Sequence, residues 1–185
     1  MKFALPCVLA LTWCSLHATA NRNPGNTAVP PADSIMNQSQ FIQVAVLDIM
    51  KVTGLHANFE LKTSHVRNIE AIISHRKRYI VYNPDFIEKV NNATSEKWGT
   101  IALLAHEIGH HLNGHTLKKG GSKPAVELEA DEFAGFVLYK LGATLQQSQE
   151  VMYFIASRKA STTHPGRLDR LDAIKKGWLK AKGDL

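Results

Sequence analysis

The chain has 185 residues, of which 44% are hydrophobic and 21% are charged, and its formal net charge at pH 7 is +6. This length is typical of one domain. The densest positive segments are residues 75–78, 118–119 and 175–182. The first is typical of a hairpin turn and the last of a solvated helix face, not of the basic surface with interleaved aromatic residues that binds nucleic acid. We therefore expect no nucleic-acid partner.

The first twenty residues differ from the rest in composition. Lys2 precedes an apolar run over residues 3–16, and Ala20 ends a small-x-small sequence. This pattern is typical of a secretory signal peptide cleaved after Ala20. The apolar run is too short to span a bilayer comfortably, which argues against a transmembrane helix. The bulky Trp13 disfavours a lipid anchor at Cys14. We expect a secreted protein, periplasmic or extracellular if the host is bacterial, with neither a transmembrane segment nor a cysteine in the mature chain.

The remaining chain is predicted to form a flexible arm and one domain. Residues 21–33 are polar and rich in proline, as in flexible arms, and residues 34–185 contain the periodic segments of the domain. The domain is expected to begin with a helix that Ser34 caps and that Thr53-Gly54 ends. Short strands are predicted over residues 57–61, 69–74 and 79–82, with Arg76-Lys77 at the last turn. These three strands are expected to form a small antiparallel sheet.

A short helix over residues 84–90 is predicted to precede a longer, amphipathic one. Apolar residues at positions 98, 101, 102, 105, 108 and 112 form the stripe of a helix whose inner side packs on a core. Thr94 or Ser95 can cap its start, and Asn113-Gly114 provides a left-handed stop. Three further helices are predicted downstream, from Ser122 onward and over residues 143–157 and 165–182.

The amphipathic helix carries a His-Glu-x-x-His motif at residues 106–110. Residues i and i+4 share a helix face, so the two imidazoles can bind one metal while Glu107 reaches an adjacent water. A catalytic zinc site needs a third protein ligand. The metzincin extension fails, because Gly114 and His115 each miss the required position by one place. His111 points about 100° away from His110 and His115 follows the stop signal, so we expect both to be exposed.

The next helix offers the third ligand. Glu127 and Asp131 lie four residues apart on one face, so Glu127 can bind the metal while Asp131 accepts the free ring N–H of a ligand histidine. With this Glu-x-x-Ala-Asp sequence after His-Glu-x-x-His, the chain resembles the M48 family of zinc metallopeptidases. A third family feature, a Ser/Thr-x-His-Pro segment leading into a helix with Arg, is represented by residues 161–170.

The resemblance implies a zincin-like α+β metalloprotease domain, mostly helical with a small antiparallel sheet, from about residue 34 to the end. It implies one zinc ion per chain with three protein ligands, His106, His110 and Glu127. It also implies that Glu107 is the general base and that Asp131 accepts a hydrogen bond from the ring of a ligand histidine. In the family, the histidine equivalent to His164 lies at the cleft, where an imidazole can donate a hydrogen bond to the oxyanion of the reaction.

The predicted activity is hydrolysis of proteins or peptides, in which Glu107 takes a proton from water and passes it to the leaving amine. One alternative is a catalytically silent binding or chaperone-like protein, against which the intact Glu107 argues. Another is a structural metal site, which would favour a fourth protein ligand. Residues 78–83 are interpreted either as the edge strand that pairs with an extended substrate or as an interior strand.

Overall fold

The computed structural model describes residues 36–95, 97–117 and 123–184. The predicted signal peptide, the predicted arm and the possible caps Ser34 and Ser122 lie outside these residues. The fold is α+β, with most of its residues in helices. The helices are α1 Gln38–Thr53, α2 Pro84–Ala93, α3 Trp98–Leu112, α4 Pro124–Lys140, α5 Leu145–Ile155 and α6 Arg167–Lys182. The strands are β1 Glu60–Thr63, β2 Ile69–Ser74 and β3 Lys77–Tyr82, and a short 3-10 turn, His115–Leu117, follows α3.

Two helices begin at positions other than those predicted. Asn37, not Ser34, caps α1: its side chain accepts a hydrogen bond from the Gln40 amide, and the Gln40 side chain accepts one from the Asn37 amide. This capping box satisfies two amides at once. α3 begins after Lys97 with no side-chain cap. The predicted caps are engaged elsewhere, because the Thr94 hydroxyl donates to the Val90 carbonyl and Ser95 binds Glu150.

The sheet is mixed, so the prediction of an antiparallel sheet was only partly correct. The strand order is β1-β3-β2, with β2 antiparallel and β1 parallel to β3. The β2–β3 hairpin turns at His75 and Arg76, whose φ angles are 49° and 63°. A two-residue hairpin can be recognised from the residues of its turn. The connection over residues 64–68 has no such pattern, so the sequence does not show that β1 pairs in parallel with β3.

The interpretation of residues 78–83 as the edge strand was wrong. β3 is bonded to a neighbour on each side, so it is the interior strand of the sheet. Both of its neighbours therefore occupy sheet edges. Of these, β2 lines the cleft described below.

α3 lies at the centre of the fold rather than on its surface. Eleven of its 15 residues are buried, because α1, α2, α4, α5 and β2 all pack against it. The predicted apolar stripe therefore covers only part of its buried surface. This position also explains why the polar residues of its motif lie among core side chains. No helix in the described parts of the chain is both long and apolar enough to cross a membrane.

Helices α4 and α6 cross at two glycines. A Cβ atom on Gly135 would lie 2.0 Å from the carbonyl oxygen of Ile174, and one on Gly177 would lie 1.8 Å from the carbonyl oxygen of Glu132. Both distances are far inside van der Waals contact, so this backbone separation requires residues without a side chain. The close crossing brings Arg170 of α6 against Asp131 of α4.

We expect Gly177→Ala to lower the free energy of unfolding by about 1–2 kcal/mol. Overpacking typically costs about 1–3 kcal/mol, and contact with a backbone oxygen belongs at the upper end of that range; the roughly 1 kcal/mol that alanine gains over glycine in helix propensity offsets only part of it. Urea unfolding measures the change. Lys175→Ala, at an exposed position of the same helix, is the control and should change little. Equal midpoints for Gly177→Ala and the wild type would contradict the close crossing.

Candidate metal centre

Two histidines of α3 and one glutamate of α4 converge on one point. Nε2 of His106 lies 3.1 Å from Nε2 of His110, and the two nitrogens lie 3.4 and 3.5 Å from the carboxylate oxygens of Glu127. In a tetrahedral site with metal–ligand distances of about 2.0–2.1 Å, ligand atoms are roughly 3.3–3.4 Å apart. The donor atoms therefore have the spacing that one such ion requires. The predicted ligand residues form a group that can hold a metal ion.

His106 is backed by Asp131 of α4. The carboxylate oxygen Oδ1 lies 2.9 Å from Nδ1 of His106, and an ionised carboxylate can only accept a hydrogen bond. Nδ1 therefore carries the proton, which leaves the Nε2 lone pair for a metal in the neutral ring. Burial alone lowers the pKa of His106, but the charge of Asp131 and hydrogen bonds to Asp131 and Glu127 raise it to about 10. A bound cation must displace that second proton.

Arg170 anchors the other side of Asp131. Its Nε and Nη2 atoms each donate to one carboxylate oxygen at 2.7 Å, the bidentate geometry in which arginine binds carboxylates most strongly. Burial raises the pKa of Asp131, but the charges and hydrogen bonds of His106 and Arg170 outweigh it and hold that pKa below its usual value. Arg170 belongs to the third motif, at residues 161–170, but its position in the sequence does not predict this role. Nothing in a lone arginine on a helix indicates which carboxylate it will meet.

The prediction that His111 and His115 are exposed was wrong, since both are buried. Nε2 of His111 lies 3.0 Å from the carbonyl oxygen of Tyr79, and its ring stacks on Phe59. His115 instead contacts His110. The prediction required that one face of α3 meet solvent, whereas the sheet covers the face that carries His111.

Glu107 projects from α3 toward the edge strand β2. The amide of Ala71 donates a 2.6 Å hydrogen bond to Oε2 of Glu107. Burial raises the pKa of Glu107 to about 7, even though the charge of His106 and the Ala71 hydrogen bond act to lower it. A carboxyl group with that pKa both accepts and returns a proton near neutral pH, as a general base must.

A cleft of about 970 Å³ opens over these groups. Apolar side chains such as Phe86, Leu103 and Phe154 line it together with His106, Glu107, His110 and Glu127. His164 also lines this cleft and is exposed. Its Nδ1 atom lies 2.9 Å from the Thr163 hydroxyl. The structure thus places all six residues singled out by the sequence analysis in or directly behind one cleft.

Comparisons with known proteins add nothing to this geometry. The chain matches no protein-family model, no curated protein and no solved structure.

We expect a divalent metal ion, with zinc as the probe, to stabilise the folded protein through this group of residues. A ligand that binds only the folded state adds about 2.7 kcal/mol at a free concentration one hundred times its Kd. The thermal midpoint of wild-type protein should therefore rise with added zinc and fall with a chelator. His110→Ala should lose most of the rise, while His56→Ala, at an exposed position, should keep it. An equal rise in both variants would contradict binding at this site.

We expect Asp131→Asn to destabilise the metal-free protein by about 3–5 kcal/mol, because it removes the carboxylate charge that binds the buried Arg170 through two hydrogen bonds. Arg170→Met should have a similar effect, and the double variant should be more stable than the sum of the two losses predicts. Denaturant unfolding in the presence of a chelator measures this coupling. Glu132→Gln breaks the exposed pair with Lys176 on the same two helices and should change stability little. Additive losses at Asp131 and Arg170 would contradict the pairing.

Proposed function

We propose that the protein is a zinc-dependent metalloendopeptidase with a zincin-like domain of the M48 type. The observation that carries the proposal is the convergence of three ligand atoms, from His106, His110 and Glu127, beside the buried carboxylate of Glu107. The resemblance to the M48 family in three motifs, in the family's chain order, supports the same activity. Two imidazoles and one carboxylate favour zinc, and one ion per chain is proposed.

The proposed reaction is hydrolysis of a peptide bond. Zinc, when bound by these ligands, supplies Lewis acidity that polarises a carbonyl and lowers the pKa of water. Glu107 accepts a proton from the attacking water as the water oxygen bonds to the carbonyl carbon. The same carboxyl group then gives that proton to the amine nitrogen as the carbon–nitrogen bond breaks. No covalent link between the chain and the substrate is required.

The mixed lining of the cleft suits a peptide substrate. Aromatic and aliphatic side chains lie beside a comparable number of polar and charged ones, and a peptide carries both apolar side chains and a polar backbone. We propose proteins or peptides of the cell envelope or exterior as substrates, because of the predicted signal peptide.

We expect Glu107→Gln to retain zinc and to lose peptidase activity by a factor of about 10² or more, because the amide cannot accept the proton. Cleavage of an unfolded protein such as casein by residues 21–185 measures activity, and elemental analysis measures zinc. Glu88→Gln, at an exposed position of α2, is the control and should cleave like the wild type.

Two results would contradict the proposal. A Glu107→Gln variant that holds zinc and cleaves at the wild-type rate would remove Glu107 from the reaction. A wild-type protein that holds zinc but cleaves no peptide from a diverse unfolded library would instead favour the catalytically silent binding protein considered above.

We expect His164→Ala to lower kcat by up to about 10²-fold with little change in KM or zinc content. A hydrogen-bond donor to a developing oxyanion contributes mainly in the transition state. The change is measured by steady-state kinetics on a peptide that the wild type cleaves. A rise in KM with an unchanged kcat would assign His164 to substrate binding instead.

A further inference from the structure

His115 lies directly behind the proposed metal ligand His110. Its Nδ1 atom is 3.0 Å from Nδ1 of His110, and its Nε2 atom is 2.9 Å from a carboxylate oxygen of Glu129 on α4. The His115 side chain is 4% exposed, whereas that of Glu129 is 62% exposed. The three side chains therefore form a chain of hydrogen bonds from solvent to the side of His110 that faces away from Glu127.

The chemistry of these groups fixes where their protons lie. The Glu129 carboxylate can only accept a hydrogen bond, so Nε2 of His115 is the donor to it. In the neutral His115 ring, Nδ1 is then the acceptor, and Nδ1 of His110 must carry the hydrogen between them. That assignment leaves Nε2 of His110 with a lone pair, and Nε2 is the atom that meets Nε2 of His106 and Glu127.

We propose that His115 is a positioning residue that holds His110 in its metal-binding tautomer and ring orientation, with Glu129 fixing the tautomer of His115. The two ligand histidines then have different supports. The His106 ring is hydrogen-bonded directly to the Asp131 carboxylate. The His110 ring is hydrogen-bonded to the His115 imidazole, which is in turn hydrogen-bonded to the Glu129 carboxylate. Support of this kind from behind a ligand typically contributes 10- to 100-fold to metal affinity.

The fold brings His115 to this place through the stop signal at the end of α3. Gly114 adopts a left-handed φ of 70°, a conformation that suits glycine because it has no Cβ. The chain reverses there and enters the 3-10 turn His115–Leu117, which carries His115 back against the last turn of α3. Helix periodicity does not predict this contact, because His115 lies beyond the end of α3.

Two amide variants at position 115 separate this role from simple packing. His115→Asn places an oxygen where Nδ1 stands, so it can still accept from His110 but loses Glu129. His115→Gln places its amide where Nε2 stands, so it can still reach Glu129 but offers no acceptor to His110. Zinc affinity is measured by competition with a chelating dye. We expect His115→Asn to bind within several-fold of the wild type and His115→Gln to bind 10- to 100-fold more weakly.

Equal affinities for the two variants, or weaker binding by His115→Asn, would overturn the proposal. Because a variant can fail to fold, long-range ¹H–¹⁵N spectra of zinc-loaded wild-type protein provide a second test. They should show a proton on Nδ1 of His110 and on Nε2 of His115, and a proton on Nδ1 of His115 would contradict the assignment. The inference rests on the proposed metal site and not on peptidase activity, so a protein that binds zinc but cleaves nothing would leave it standing.

Discussion

The buried carboxylate of Asp131 is the group on which the arrangement of this site depends. It accepts hydrogen bonds from His106 on α3 and from Arg170 on α6 while belonging to α4 itself, so it joins three helices at a point with no solvent exposure. Loss of Asp131 itself would remove the carboxylate that both buried partners share. The paired glycines of α4 and α6 serve this contact, because any side chain there would separate the two helices.

Such a cluster is an inefficient way to stabilise a fold, because desolvation of buried ions consumes much of their attraction and apolar residues of similar volume often do as well. Its effect on chemistry is more specific. Asp131 sets the tautomer of His106, and the proposed pair of His115 and Glu129 does the same for His110. Both Nε2 lone pairs then face Glu127. Hydrogen bonds to the far side of each ring therefore orient both ligand histidines.

Local patterns in the sequence predicted the elements well and their spatial relations less well. The bounds of β2 and the stop at Gly114 follow from periodicity and turn residues, and each helix was predicted to within a few residues, although the caps of α1 and α3 were not. Helix periodicity placed His106 and His110 on one face, and the resemblance to the M48 family added Glu127. The parallel pairing of β1, the interior position of β3 and the burial of His111 and His115 depend on which elements surround α3. That is a property of the whole chain, and no short segment encodes it. The role of Arg170 belongs to the same class.

Anomalous diffraction at the zinc edge, from crystals of residues 21–185 grown with one equivalent of zinc, tests the proposed metal centre. We expect one strong peak within bonding distance of Nε2 of His106, Nε2 of His110 and the Glu127 carboxylate, with one ligand position open to the cleft beside Glu107. A peak at any other group, or a fourth protein ligand that closes the position beside Glu107, would contradict this proposal.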